Sequence, residues 1–165
     1  MVINSEDMIE RKTGISGQEV VTLIDNQQKA DNYRILKDRL RKALINGFWF
    51  EACMIEYAII EDRTSSILQH CGICKNAYDS NKLLSNKLRS IKHQIEKGHP
   101  VISKKVGIDL ITEIIDWKEE RNEVVHRSCN HTYDDATVKN IAEKGNDLTR
   151  RLINDSRKIS DYYKK

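Results

Sequence analysis

Arg121, Asn122 and His126 are the residues of this chain whose types and spacing could do chemistry. They close the stretch Trp117-Lys-Glu-Glu-Arg-Asn-Glu-Val-Val-His126. Leu110, Ile114, Trp117, Arg121 and Val124 or Val125 recur three and four apart, so Arg121 falls on the stripe that should face a core. A guanidinium there needs a partner or a ligand. Arginine stays charged and offers a planar fork that matches carboxylate or phosphate oxygens, while histidine titrates near neutral pH and can take or return a proton. A plainer assignment uses the same side chains structurally: the arginine closes a buried ion pair and the histidine caps carbonyls near a helix end. On an undistorted helix the five-residue step from Arg121 to His126 turns through roughly 140°. The two then meet only if the helix breaks after Val125 or if a second copy supplies one of them. Asn122 and His126, one turn apart, share a face.

Carboxylates stand where such an arginine could find a partner. Glu51, Glu56, Glu61, Asp62 and Arg63 interrupt the most apolar stretch of the chain. Leu40, Leu44, Gly47, Glu51, Met54, Ala58, Glu61 and Leu68 follow a heptad-like seam, which predicts that Glu51 and Glu61 face neighbouring helices. A buried carboxylate is costly without a cation, and Arg121 is the cation expected opposite. The local alternative pairs Glu51 or Glu61 with Arg63 or a surface lysine.

The remaining chemical groups are basic residues and cysteines. Between residues 82 and 105 lie Lys82, Lys87, Arg89, Lys92, Lys97, Lys104 and Lys105 against the single acid Glu96. That excess suits an RNA-tracking surface, for which Lys82, Arg89 and Lys92 are the candidates, and equally an ordinary solvated face. His70-Cys71-Gly-Ile-Cys74 has the two-residue gap that lets two thiolates meet one zinc, but no second Cys-x-x-Cys completes a site. Cys129 and His131, or His126, are the nearest substitutes, and Cys71 and Cys74 read first as a helix end. Cys53 reads as core.

The frame for these groups is helical. The chain has 165 residues, 39% hydrophobic and 32% charged, with 7 glycines and one proline, too little punctuation for a β-protein and enough leucine and isoleucine for one core. The net charge of +3 does not by itself name a polyanionic partner. No apolar run is long enough to cross a bilayer and no secretory signal opens the chain, so a cytoplasmic protein with reduced cysteines and no membrane contact is expected. Residues 1–15 read as an N-terminal arm and residues 16–165 as the bundle, opened by a capping box at Ser16-Gly-Gln-Glu19. From Tyr33 a long apolar helix runs to Cys71, bent or closely approached at Gly47. A third helix carries Leu83 to Ile95 and stops at Gly98-His99-Pro100, a fourth spans 107–125, and a last one spans 136–162 after a polar loop. The fold class is all-α, an antiparallel bundle of about five helices.

Arg121-Asn122-Glu-Val-Val-His126 resembles the signature of the HEPN superfamily: an arginine, a polar residue, three variable residues and a histidine. The Trp-Lys-Glu-Glu lead-in, the long helices and Glu56-Tyr-Ala-Ile-Ile-Glu-Asp-Arg63 also look like small prokaryotic HEPN proteins. The resemblance extends over most of residues 18–163 in architecture, and its specific part is the six-residue motif. It implies a helical bundle that dimerises, bringing two motifs into one cleft. It further implies an endoribonuclease of a stress, toxin–antitoxin or phage-defence system that cuts RNA to 2′,3′-cyclic phosphate ends with no metal or cofactor. His126 would be the general acid or base, Arg121 the scissile-phosphate ligand and Asn122 the residue shaping the site; Glu51, Glu61 and Arg63 are the supports that the seam on the apolar stretch suggests. An antitoxin or other partner protein belongs to the same expectation. The alternative is a catalytically silent HEPN-like module that binds RNA, a nucleotide or a protein. Ser128 stands where one toxin branch carries a tyrosine two residues after the histidine.

Overall fold

The protein is described by a computed structural model over residues 26–74, 83–128 and 130–164. The expected arm over residues 1–15 and the capping box at residues 16–19 lie outside the described residues, as do Lys82 and Cys129. Six helices follow one another: α1 (Asn26–Asn46), α2 (Trp49–His70), α3 (Leu84–Glu96), α4 (Ile102–Lys105), α5 (Ile108–Arg127) and α6 (Asp135–Tyr163). Among the described residues there is no strand. None of the helices is long and apolar enough to cross a membrane. The chain divides between Ile35 and Leu36 into two units, and the helical bundle is the second, Leu36–Lys165, taking in α1 from Leu36 onward.

The long helix expected from Tyr33 to Cys71 is two helices, because Gly47 ends the first. Gly47 has φ of 75°, and Phe48 N donates to Ala43 O at 2.9 Å. That left-handed residue turns the chain back to satisfy an end carbonyl, a stop that a side chain with a Cβ disfavours. Gly98 closes α3 in the same manner, with Gly98 N on Ile95 O at 3.0 Å and His99 N on Gln94 O at 2.9 Å. Beyond it the expected turn contains a further helical turn, α4. His99 Nδ1 accepts from Val101 N and Ile102 N, both at 3.3 Å, and Val101, Ile102 and Val106 are buried. At the start of α6, Asp134 accepts from Thr137 N at 2.6 Å, the side-chain cap its position calls for.

Helix directions differ from a simple up-and-down arrangement. Glu113 meets Arg151 and Glu120 meets Lys144, so α5 and α6 run antiparallel. The most extensive pair, α2 with α6, is parallel: Trp49 at the start of α2 reaches Asp135 at the start of α6, and Cys71 just past α2 reaches Tyr163 at the end of α6. Three helices intervene in the chain and bring it back to the same end. The antiparallel expectation therefore holds only for part of the bundle. Helix α3 packs on α2 and α5, and the short α4 reaches from α3 to α6.

The core is built from Ile59, Ile60 and Ile67 of α2, Leu88 and Ile91 of α3, Ile111, Ile114 and Trp117 of α5, and Leu148 and Leu152 of α6. Trp117 has no exposed surface, and its Nε1 donates to Ile141 O on α6 at 2.9 Å. The indole fits because α6 offers Gly145 there. A Cβ at that position would lie 2.8 Å from the Trp117 ring and would collide with Glu56 Oε2. Gly145→Ala is expected to cost about 1–3 kcal/mol by overpacking, although alanine is the better helix former. Chemical denaturation checks this, and a variant as stable as the parent would mean that the crossing yields without strain.

Candidate functional site

Helix α5 runs unbroken from Ile108 to Arg127. The break after Val125 that would have let Arg121 and His126 of one chain converge does not occur. Arg121 is 7% exposed, as its place on the apolar stripe requires. Its guanidinium lies over the Tyr57 ring, 4.6 Å from the centroid. Nη1 donates to Asn122 Oδ1 at 3.1 Å, Nη2 contacts Met54 Sδ, and Nε is buried with no acceptor. Burial pulls the guanidinium pKa down, an effect partly offset by Tyr57 and Cys53.

The expected ion pair between Arg121 and Glu51 or Glu61 does not form. Glu51 is exposed in the first turn of α2. Glu61 Oε1 accepts from Lys87 Nζ of α3 at 3.2 Å. Arg63 Nε donates to Asp62 Oδ2 at 2.9 Å. The heptad seam fails because it counts through Gly47, where the helix stops, so positions before and after that break share no common phase. The inward face of α2 is set instead by Ala52, Cys53, Ile55, Glu56, Ile59 and Ile60.

Glu56 is the carboxylate that this face buries. It has no exposed surface, both oxygens lack a hydrogen-bond partner, and burial pushes its pKa up to about 8. It is therefore a protonated acid at neutral pH, packed against Gly145, and not a counterion for Arg121. Its neighbours one turn away, Ala52, Cys53, Ile59 and Ile60, are all apolar, a signal that the sequence carried. Cys53 is buried, with its thiol pushed up to about 12 mainly by that burial, and behaves as a core residue.

His126 is exposed near the C-terminal end of α5. It shares a shallow depression with Asn122, Glu119, Glu120, Glu123 and Arg127, so the predicted common face of Asn122 and His126 is present. Arg121 does not line it. Asn122 thus links the two: it orients the guanidinium and borders the histidine. Beside this end of α5 lies a cavity of about 410 Å³ lined by Phe48, Trp49, Phe50, Glu51 and Tyr133 among others. Tyr133 Oη donates to Glu123 O at 3.4 Å, and Trp49 Nε1 donates to Asp135 Oδ2 at 3.2 Å. Phe48 and Phe50 lie within the long apolar stretch expected from Tyr33 to Cys71, yet Phe48 is 59% and Phe50 40% exposed. The end of α1 at Gly47 places them at the rim.

The basic third helix does not form one free cationic face. Lys87 is 4% exposed and bound to Glu61. Arg89 is exposed, close enough to act on Glu119 of α5, and Lys92 is half-buried. Cys71 and Cys74 are half-buried free thiols. Among the described residues no group of three histidine, cysteine or carboxylate side chains is placed to hold a metal ion.

No protein-family model, curated protein or solved structure matches the chain.

Glu56 makes stability depend on pH. An acid whose folded pKa is raised from 4.5 to about 8 stabilises the fold fully below the lower value, and that contribution is lost as pH rises through the upper one. The expected loss is about 1.4 kcal/mol per pH unit within that window. Glu56→Gln should flatten the profile, measured by denaturation at pH 5, 6.5 and 8. An unchanged slope would mean that another group carries it.

Proposed function

We propose that the chain is a metal-independent endoribonuclease of the HEPN kind, in which two copies bring Arg121 and His126 into one cleft and cut RNA to 2′,3′-cyclic phosphate ends. The observation that carries this reading is Arg121, a buried guanidinium with no carboxylate partner among the described residues. A buried cation of this kind needs an anion from outside, and a phosphodiester matches its fork.

The chemistry follows from the side chains. The 2′-oxygen forms a bond to phosphorus as its proton passes to one histidine, and the bond to the 5′-oxygen breaks as that oxygen receives a proton. Arg121 stabilises the charge that builds on the phosphoryl oxygens between those events. Because Arg121 and His126 leave an unbroken α5 on different sides, one site takes its arginine from one copy and its histidine from the other. Phe50 and Met54, both exposed and one turn apart on α2, offer apolar surface beside the Arg121 contact for such a pairing. The aromatic cavity of Phe48, Trp49 and Phe50 suits a stacked base. A toxin, stress or phage-defence setting with a controlling protein partner goes with this activity.

One observation favours a second reading, a catalytically silent module that binds RNA, a nucleotide or a protein. Glu119, Glu120 and Glu123 line the depression around His126, and although Lys118, Lys144 and Arg127 pair with them, they put carboxylates where cleavage would need the scissile phosphate. RNA incubated in EDTA decides between them: the ribonuclease gives cyclic phosphate ends, lost in His126→Ala and reduced about 10²–10³-fold in Arg121→Gln. Mixing the two inactive variants should restore roughly a quarter of the parent activity, since half the dimers then carry one intact composite site. Intact RNA with the parent protein leaves the binding module, and failure of the mixture to recover activity excludes the shared cleft.

A further inference from the structure

The face of α2 away from Arg121 borders a second cavity, closed by α1 and α6, of about 610 Å³. Five cationic side chains line it, Lys37 and Arg41 from α1 and Arg150, Arg151 and Arg157 from α6, with no acidic residue among its lining. Leu44, Ile59 and Ile153 give it apolar surface.

Existing ion pairs leave most of this charge available. Arg151 is held by Glu113 through two parallel bonds of 2.7 and 2.8 Å, which fixes that wall. Arg41 with Asp38 at 3.3 Å and Arg150 with Asp147 at 3.2 Å are exposed single contacts, easily exchanged for a better anion. Lys37 and Arg157 make no ion pair with any described residue. The lining also contains an orphaned hydroxyl. Thr149 is 2% exposed and its Oγ1 has no partner, whereas Thr64 and Thr112 donate to the carbonyl four residues back at 2.6 and 3.0 Å. A buried hydroxyl that forgoes this local bond beside a cationic cavity points to an acceptor supplied by a ligand.

We propose that this cavity is a binding site for a small ligand carrying two or more linked phosphates, held by Lys37, Arg41, Arg150 and Arg157, with the Thr149 hydroxyl as a further donor. The volume lies in the range of small-molecule pockets, about 300–1,000 Å³. Four of its five cations are arginines, whose forks match phosphate oxygens. The charge excess exceeds what one phosphate needs, and the apolar surface can receive the organic part of an ester. This site is separate from the Arg121 and His126 cleft and stands or falls independently of the ribonuclease reading.

Calorimetry on the full chain at about 0.15 M salt, where exposed charges are screened beyond ~8 Å, tests it with inorganic tripolyphosphate, orthophosphate, a nucleoside triphosphate and a single-stranded RNA oligomer. Tripolyphosphate should bind at least tenfold more tightly than orthophosphate. Lys37→Gln with Arg157→Gln should weaken it at least tenfold, and Thr149→Val severalfold, with melting temperatures of the free proteins unchanged. Tighter binding of the nucleoside triphosphate would assign a phosphate ester as the source, and equal binding the free oligophosphate. No binding of tripolyphosphate, affinity equal to that for orthophosphate, or affinity unchanged in the double variant would overturn the proposal. So would binding of the RNA oligomer alone, which would make the cavity part of a strand-tracking surface.

Discussion

Glu56, Trp117 and Gly145 meet where α2, α5 and α6 come together, and the bundle depends on how tightly they do so. The missing side chain of Gly145 lets the indole of Trp117 reach the α6 backbone and donate to Ile141 O. The same gap receives the carboxyl of Glu56. Trp117 lies one helical turn before Arg121 on the stripe of α5, so the depth at which the indole is anchored also sets the depth of the guanidinium. A site residue and a core residue are thus positioned by a single contact between helices.

Much of the frame was legible because it rests on local signals. The apolar stripe of α5 put Arg121 inward, and it is inward; Gly98 before His99 and Pro100 stopped α3; Asn122 and His126 shared a face because four residues make about one turn. The partners of Arg121 were not legible. They depend on the phase of α2: the seam drawn through Gly47 held Met54, which does meet Arg121, but its carboxylates Glu51 and Glu61 do not, and Tyr57 lay off it. The apolar neighbours of Glu56 within one turn were the better guide. A count that starts after the glycine recovers the inward face.

Charge was the other property that linear reading distorted. The conspicuous basic run before residue 106 spends Lys87 on a buried contact with Glu61, and leaves Lys92 half-buried. The cations that do converge come from α1 and α6, separated by about a hundred residues of chain and interleaved with Asp38 and Asp147. In sequence α6 is nearly balanced, but α1 carries six cations against two aspartates, an excess that the reading of residues 82–105 overlooked and that the fold sets beside the arginines of α6.

The Gly47 break also bears on how this chain can vary. In a continuous helix each inserted residue rotates everything after it by about 100°, so a change of length in α1 would move Glu56 and the isoleucines of α2 out of the core. With the helix ended at a left-handed residue, α1 can lengthen, shorten or turn while α2 keeps its indexing. Lys37 and Arg41 sit before that joint, and Met54 and Tyr57 after it. A shift of α1 about that joint would therefore reshape the cationic cavity while the setting of Arg121, made by α2 and α5, stays fixed.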